Sequence, residues 1–161
     1  MGLTPFPVDT SVLQTLPQIS FAAGEVVIEE GQPLRGIYFL EDGEVEVLKS
    51  GFLIAEVYEP GAVFGEMSWL LNTVPTATVR TIGSCRFRHV ADPAAYFSKQ
   101  PDVAIHMARV LARRIDSLNR YLVNIKEQFK DRADHLGIVD EVLDSLMNKH
   151  PRDIPRRNAG H

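Results

Sequence analysis

With 161 residues, 45% of them hydrophobic, the chain can bury one substantial core with appended helices but is short for two full domains. A formal net charge of −4 speaks against nucleic acid as the main partner, because neutralising phosphates needs a concentrated basic face. The single cysteine, Cys85, cannot form an internal disulfide or supply a cysteine metal cage, which suits a reducing cytoplasm.

The first thirty residues, which include an N-terminal segment at 1–18, have no basic stretch leading into a long apolar run, and nowhere is an apolar run long enough to span a bilayer. A soluble, unexported protein is expected, without a membrane contact. From Ile19 to about residue 91, short apolar or alternating runs are broken by turn residues, the pattern of an antiparallel barrel or sandwich. Gly36-Ile-Tyr-Phe-Leu40 is apolar apart from its leading glycine and reads as a central strand covered on both sides. Asp42-Gly43 marks a tight turn between two strands. Val45 and Val47 alternate with Glu44 and Glu46, and Cys85, Phe87 and His89 alternate with Arg86 and Arg88, so each strand has one inner face.

Within 63–81, Phe64-Gly-Glu-Met-Ser-Trp-Leu-Leu-Asn-Thr-Val-Pro-Thr-Ala-Thr-Val-Arg-Thr81 reads as strand, glycine turn, short helix, loop and strand. Gly65 lets the backbone approach a ligand, and the helix after it presents unpaired N–H groups to an anion. A carboxylate at Glu66 would repel a phosphate but can accept a hydrogen bond from a sugar hydroxyl.

Beyond Pro93 the period becomes helical. Asp92-Pro93 offers an N-cap and first-turn proline for a short helix to about Ser98, and Pro101-Asp102 starts a longer one. Leu111, Ile115, Leu118, Leu122, Ile125 and Phe129 then follow at spacings of 4, 3, 4, 3 and 4, an a/d seam suited to a parallel homodimer. Its other use is to pack on a last helix, about Gly137–Lys149, with Ile138, Val139, Val142, Leu143 and Leu146 as the apolar set. Val103, Met107 and Val110 form a second stripe for the barrel. The expected division is 19–91 barrel, 92–130 helical lid and dimerisation helix, 131–149 terminal helix, and 150–161 a disordered basic tail.

The segment from Phe64 resembles the phosphate-binding cassette of cyclic-nucleotide-binding domains. Val27-Ile-Glu-Glu-Gly31-Gln-Pro-Leu-Arg-Gly-Ile-Tyr-Phe-Leu40-Glu-Asp-Gly43 resembles a second signature of that family, with Leu34 where a small residue is usual. The resemblance spans roughly residues 15–125. It implies a mainly β fold with C-terminal helices: an antiparallel, jelly-roll-like or cupin-like β-barrel followed by a long dimerisation helix and a short terminal helix. It also implies a cAMP or cGMP ligand and no further cofactor, with the backbone of Gly65, Met67 and Ser68 on the cyclic phosphate and Glu66 on the ribose 2′-hydroxyl.

Where family members carry an arginine that caps the phosphate, gapless alignment through Ala77 places Pro75. Weakened phosphate capture is expected, since a charge-assisted hydrogen bond contributes roughly 1.5–3 kcal/mol. The next residue, Thr76, resembles a guanine-favouring threonine of cGMP-dependent kinases, although threonine is also an ordinary strand residue. Trp69 stands for a usual aliphatic residue and is expected to narrow or partly fill the pocket. On the long helix, Ala112-Arg113-Arg114 is similar to Crp-type regulators, which places Leu118 and Asn119 where a Thr-Ser pair contacts adenine; Asn119 is a candidate base contact or a coiled-coil flank. Arg35 and Arg80 are candidate substitutes for the absent cation, or solvated surface arginines.

The roughly thirty residues after Phe129 are too few for a winged helix, so a stand-alone sensor acting on an unidentified effector protein is expected. The five histidines fall into no metal or triad spacing, and neither catalysis nor a metal is expected; His89 reads as a barrel histidine and His106 as a neighbour of the helical apolar face. The rival reading is a nucleotide-silent dimerisation or docking scaffold with the same fold.

Overall fold

The structure is a computed structural model that describes residues 10–129 and 133–147; the expected basic tail, 150–161, and the start of the N-terminal segment, 1–9, lie outside the described residues. After a single 3-10 turn at Ser11–Leu13 come β1 (Gln18–Phe21), β2 (Val26–Ile28), β3 (Ile37–Asp42), β4 (Val45–Lys49), β5 (Phe52–Val57) and β6 (Val63–Phe64). Helix α1 (Glu66–Leu71) precedes β7 (Thr78–Thr81) and β8 (Cys85–Val90), and α2 (Pro93–Lys99), α3 (Pro101–Gln128) and α4 (Ala133–Met147) follow. All strand pairings are antiparallel, in two four-stranded sheets ordered β1-β8-β3-β6 and β2-β7-β4-β5. The mainly β, jelly-roll-like fold with C-terminal helices is therefore present.

The chain divides into two compact units, Met1–Val110 and Leu111–His161. In the first, Tyr38 and Leu40 point between the sheets with Ile28, Val45, Phe64, Val79, Cys85 and Phe87. Phe87 meets Phe21 and Tyr38 edge-to-face at centroid distances of 5.6 and 6.0 Å. Ile37 and Phe39 face the other way and are also sealed, each 0% exposed. Phe39 lies 5.7 Å from the ring of His106, whose Nε2 donates to the Gly61 carbonyl at 3.0 Å. With Val103 and Met107, His106 closes this face, so Gly36–Leu40 is the doubly covered central strand its apolar run predicts.

Asp42-Gly43 turns between two strands as expected, and one other local expectation changes. The Asp42-Gly43 turn joins β3 to β4, which lie in different sheets, so it carries the chain across the barrel and closes no hairpin. Helix α4 starts at Ala133, ahead of Gly137, which sits inside it. That glycine is exposed, and an exposed mid-helix glycine costs only about 1 kcal/mol relative to alanine. As expected, Asp92 caps α2, its Oδ1 accepting from the Ala95 N–H at 3.3 Å with Pro93 in the first turn.

In the second unit Lys126 of α3 pairs with Asp140 of α4, and Val139 is buried. Leu111, Leu122 and Ile125 are half-buried, whereas Ile115, Leu118 and Phe129 are exposed. Part of the predicted seam thus remains in water.

Candidate functional site

The short strand β6 ends at Gly65, whose φ of 87° lies in the left-handed region and which caps α1. A Cβ there would stand 2.8 Å from the Gly36 carbonyl oxygen and 3.0 Å from Leu34 Cδ1. Only glycine lets the start of α1 press this closely on the loop between β2 and β3. Leu34, the bulky residue at a usually small position, packs against the barrel core.

The next residue, Glu66, is 2% exposed and engaged by its neighbours. Burying a carboxylate is costly unless it has partners, so a glutamate here is built into the site and is no surface acid. Met67 is exposed and Ser68 half-buried, the Ser68 carbonyl accepting the Thr73 N–H at 3.0 Å. Asn72, at φ 53°, ends the helix.

Where the resemblance leads to a cation, the ring of Pro75 is buried. Its carbonyl accepts the Gly31 N–H at 2.8 Å, and three residues further on, at the start of β7, Thr78 Oγ1 accepts the Glu30 N–H at 3.0 Å. These bonds tie the cassette loop to the β2–β3 loop. The Thr76 side chain is exposed and Ala77 half-buried. Asn119 belongs to the second unit; it is half-buried, and its Oδ1 is shielded from solvent without a hydrogen-bond partner among the described residues.

The two candidate substitute cations differ. Arg80 is committed to Glu46, with Nε 2.6 Å from Oε1. Arg35 is exposed and lines a cavity of about 290 Å³ with Ile28, Glu29, Gln32 and Leu34. Burial pushes the Tyr38 phenol above its ordinary value, with the charge of Arg35 acting the other way.

The ring of Trp69 lies 5.2 Å from that of Phe97 on α2, and Phe97 meets Tyr96 at 5.9 Å. This aromatic link joins the cassette helix to α2 across residues far apart in the chain, a contact that no local sequence pattern announces. His89 stacks on Tyr38 at 4.5 Å and donates from Nε2 to the Arg35 carbonyl at 3.0 Å. Among the described residues no group of three or more His, Cys, Asp or Glu is arranged to hold a metal ion, and no helix is long and apolar enough to cross a membrane.

Comparison with known proteins agrees with this geometry. Residues 18–94 match the model of the cyclic nucleotide-binding domain family. The chain is 35% identical over 69 residues to the cAMP-dependent protein kinase regulatory subunit of Schizosaccharomyces pombe, an alignment covering 43% of this chain and 17% of that protein. It is 32% identical over 122 residues to Glutaminase 2 of Bradyrhizobium diazoefficiens, covering 69% of this chain and 19% of the enzyme. The chain thus spans about a fifth of the length of these curated relatives. Among solved structures, the catabolite activator protein of Thermus thermophilus superposes with a TM-score of 0.58 at 25% identity, over 78% of this chain and 61% of that one. Strand order, the Gly65 turn and the family match converge: residues 18–94 of this chain belong to the cyclic nucleotide-binding domain family.

Proposed function

We propose that the chain is a cytoplasmic regulatory module that senses a cyclic nucleotide and works by binding, without catalysis. The observation that carries this reading is the left-handed Gly65 pressed on the β2–β3 loop and followed at once by the buried Glu66. In it, the backbone of Gly65, Met67 and Ser68 takes the cyclic phosphate, Glu66 takes the ribose 2′-hydroxyl, and Thr76, Ala77 and Asn119 are the candidates for the rest of the ligand. The regulatory subunits it resembles are named for cAMP, which puts cAMP ahead of cGMP.

Output follows the chain. Capture of the phosphate tightens α1, the Trp69–Phe97 ring contact passes that to α2, and α2 leads directly into α3. A ligand shifts such an equilibrium only by its differential affinity for the two states. Residues 19–91 act as the sensor, 92–130 as lid and dimerisation helix through Leu111, Ile115, Leu118, Leu122, Ile125 and Phe129, and 131–149 as the terminal helix; an effector protein, and not DNA, receives the signal. The exposed Ile115 and Leu118 support an unfilled interface.

Pro75 favours a second reading, a nucleotide-silent scaffold, because its buried ring offers no charge to a phosphate. Calorimetry with cAMP and cGMP separates the two. Wild type is expected to bind weakly and Pro75→Arg roughly ten- to a hundred-fold more tightly. No heat from folded wild type at millimolar nucleotide, with binding by the variant, establishes the scaffold.

A further inference from the structure

Resting on the nucleotide-sensing reading, we propose that Arg35 is the counter-charge for the ligand's anionic phosphodiester, delivered from the β2–β3 loop in place of a cassette arginine. Its two sequence neighbours both touch Gly65: Leu34 Cδ1 and the Gly36 carbonyl are the atoms that a Cβ at Gly65 would strike. The backbone of Arg35 is thus held next to the start of α1 by the residues on either side of it.

Its backbone is fixed while its charged end is not. The Arg35 carbonyl is held by the His89 ring at 3.0 Å, and Gly36, at φ 130°, is packed so that a Cβ would lie 2.3 Å from the Val90 carbonyl oxygen. The side chain nevertheless is exposed at the rim of the cavity that Ile28, Glu29 and Leu34 also line. Three other barrel arginines are already used: Arg80, Arg86 and Arg88 pair with Glu46, Asp42 and Glu41 at 2.5, 3.4 and 2.8 Å. Arg35 forms no ion pair with a described residue.

The loop that carries Arg35 is also bonded to the cassette, through Gly31 to Pro75 and Glu30 to Thr78. The residue that displaced the cassette cation thus anchors the loop that supplies another. A guanidinium offers a planar, permanently charged fork to phosphate oxygens, which lysine at the same place matches only as a point charge. Glu29, on the same cavity, opposes an anionic ligand and sets its affinity from the other side.

The test is a cAMP titration of the full chain at low and high salt, comparing wild type with Arg35→Ala, Arg35→Lys, Glu29→Gln and, as a control, Arg86→Ala. Arg35→Ala is expected to weaken binding about ten-fold or more and to flatten the salt dependence, with Arg35→Lys in between. Glu29→Gln tightens binding a few-fold, and Arg86→Ala leaves it unchanged. In a Pro75→Arg background the loss on Arg35→Ala shrinks, because the two cations serve one phosphate. Wild-type affinity in Arg35→Ala, with a melting curve showing it folded, overturns the role of Arg35 and leaves the sensor standing. Absence of binding by wild type overturns the sensor reading and this inference with it.

Discussion

β3 and β5 are both six-residue strands with similar apolar content, and their surroundings are opposite. In β3, Ile37 to Leu40 are at most 4% exposed, whereas Phe52, Leu53 and Ile54 of β5 are 75, 53 and 57% exposed. Place in the sheet makes the difference. β3 lies between β8 and β6 and carries His106 against its outer face at Phe39, while β5 is the edge of its sheet. Hydrophobic composition alone therefore does not locate the core, and an apolar edge strand is a surface open to pairing. The same division runs along α3, whose Val103 and Met107 are buried in the first unit while Ile115 and Leu118 are exposed in the second.

Truncation tests this contrast most severely. Phe39→Ala should cost about 3–5 kcal/mol in urea unfolding, since it empties a sealed position, and Phe52→Ala should stay within about 0.5 kcal/mol. Equal losses would break the distinction between the two strands. Smaller in stability but visible in mass is the seam: Ile115→Lys combined with Leu118→Lys should leave the barrel's melting point nearly unchanged and shift the protein from dimer to monomer in light scattering. A dimer that survives both lysines removes the seam from the account.

The least effect is a titration. Glu41 is held below the usual carboxylate range, first by the hydrogen bond from Arg88 and then by that from Gln18. A carboxylate stabilised in its charged form contributes fully above its ordinary unfolded value, and the contribution fades as pH falls through the lowered folded value. Stability should therefore drop on the acid side, with a shallower drop in Glu41→Gln. Identical acid limbs for the two proteins would assign the pair no role in folding.

What the sequence made legible was local. The apolar run at Gly36–Leu40, the Asp92-Pro93 cap and the Phe64-Gly65-Glu66 turn each declare themselves within a few residues, through periodicity, capping chemistry and backbone freedom. What it left hidden was set by distant partners. Nothing around Asp42-Gly43 says that β4 pairs with β5 and β7 instead of β3. Trp69 acquires its meaning from Phe97, and Pro75 from the Gly31 N–H, contacts that no periodic pattern encodes. Gly137 misplaced the start of α4 because an exposed glycine is tolerated in a helix as readily as it ends one.

The central claim is that the Gly65 turn and buried Glu66 still form a nucleotide site although Pro75 has replaced the cation, and calorimetry of wild type beside Glu66→Ala tests it most directly. The account predicts a saturable, weak binding isotherm for wild type with cAMP and a loss of about ten-fold or more on Glu66→Ala. Folded wild type that releases no heat at millimolar cAMP, or Glu66→Ala binding as tightly as wild type, would contradict it.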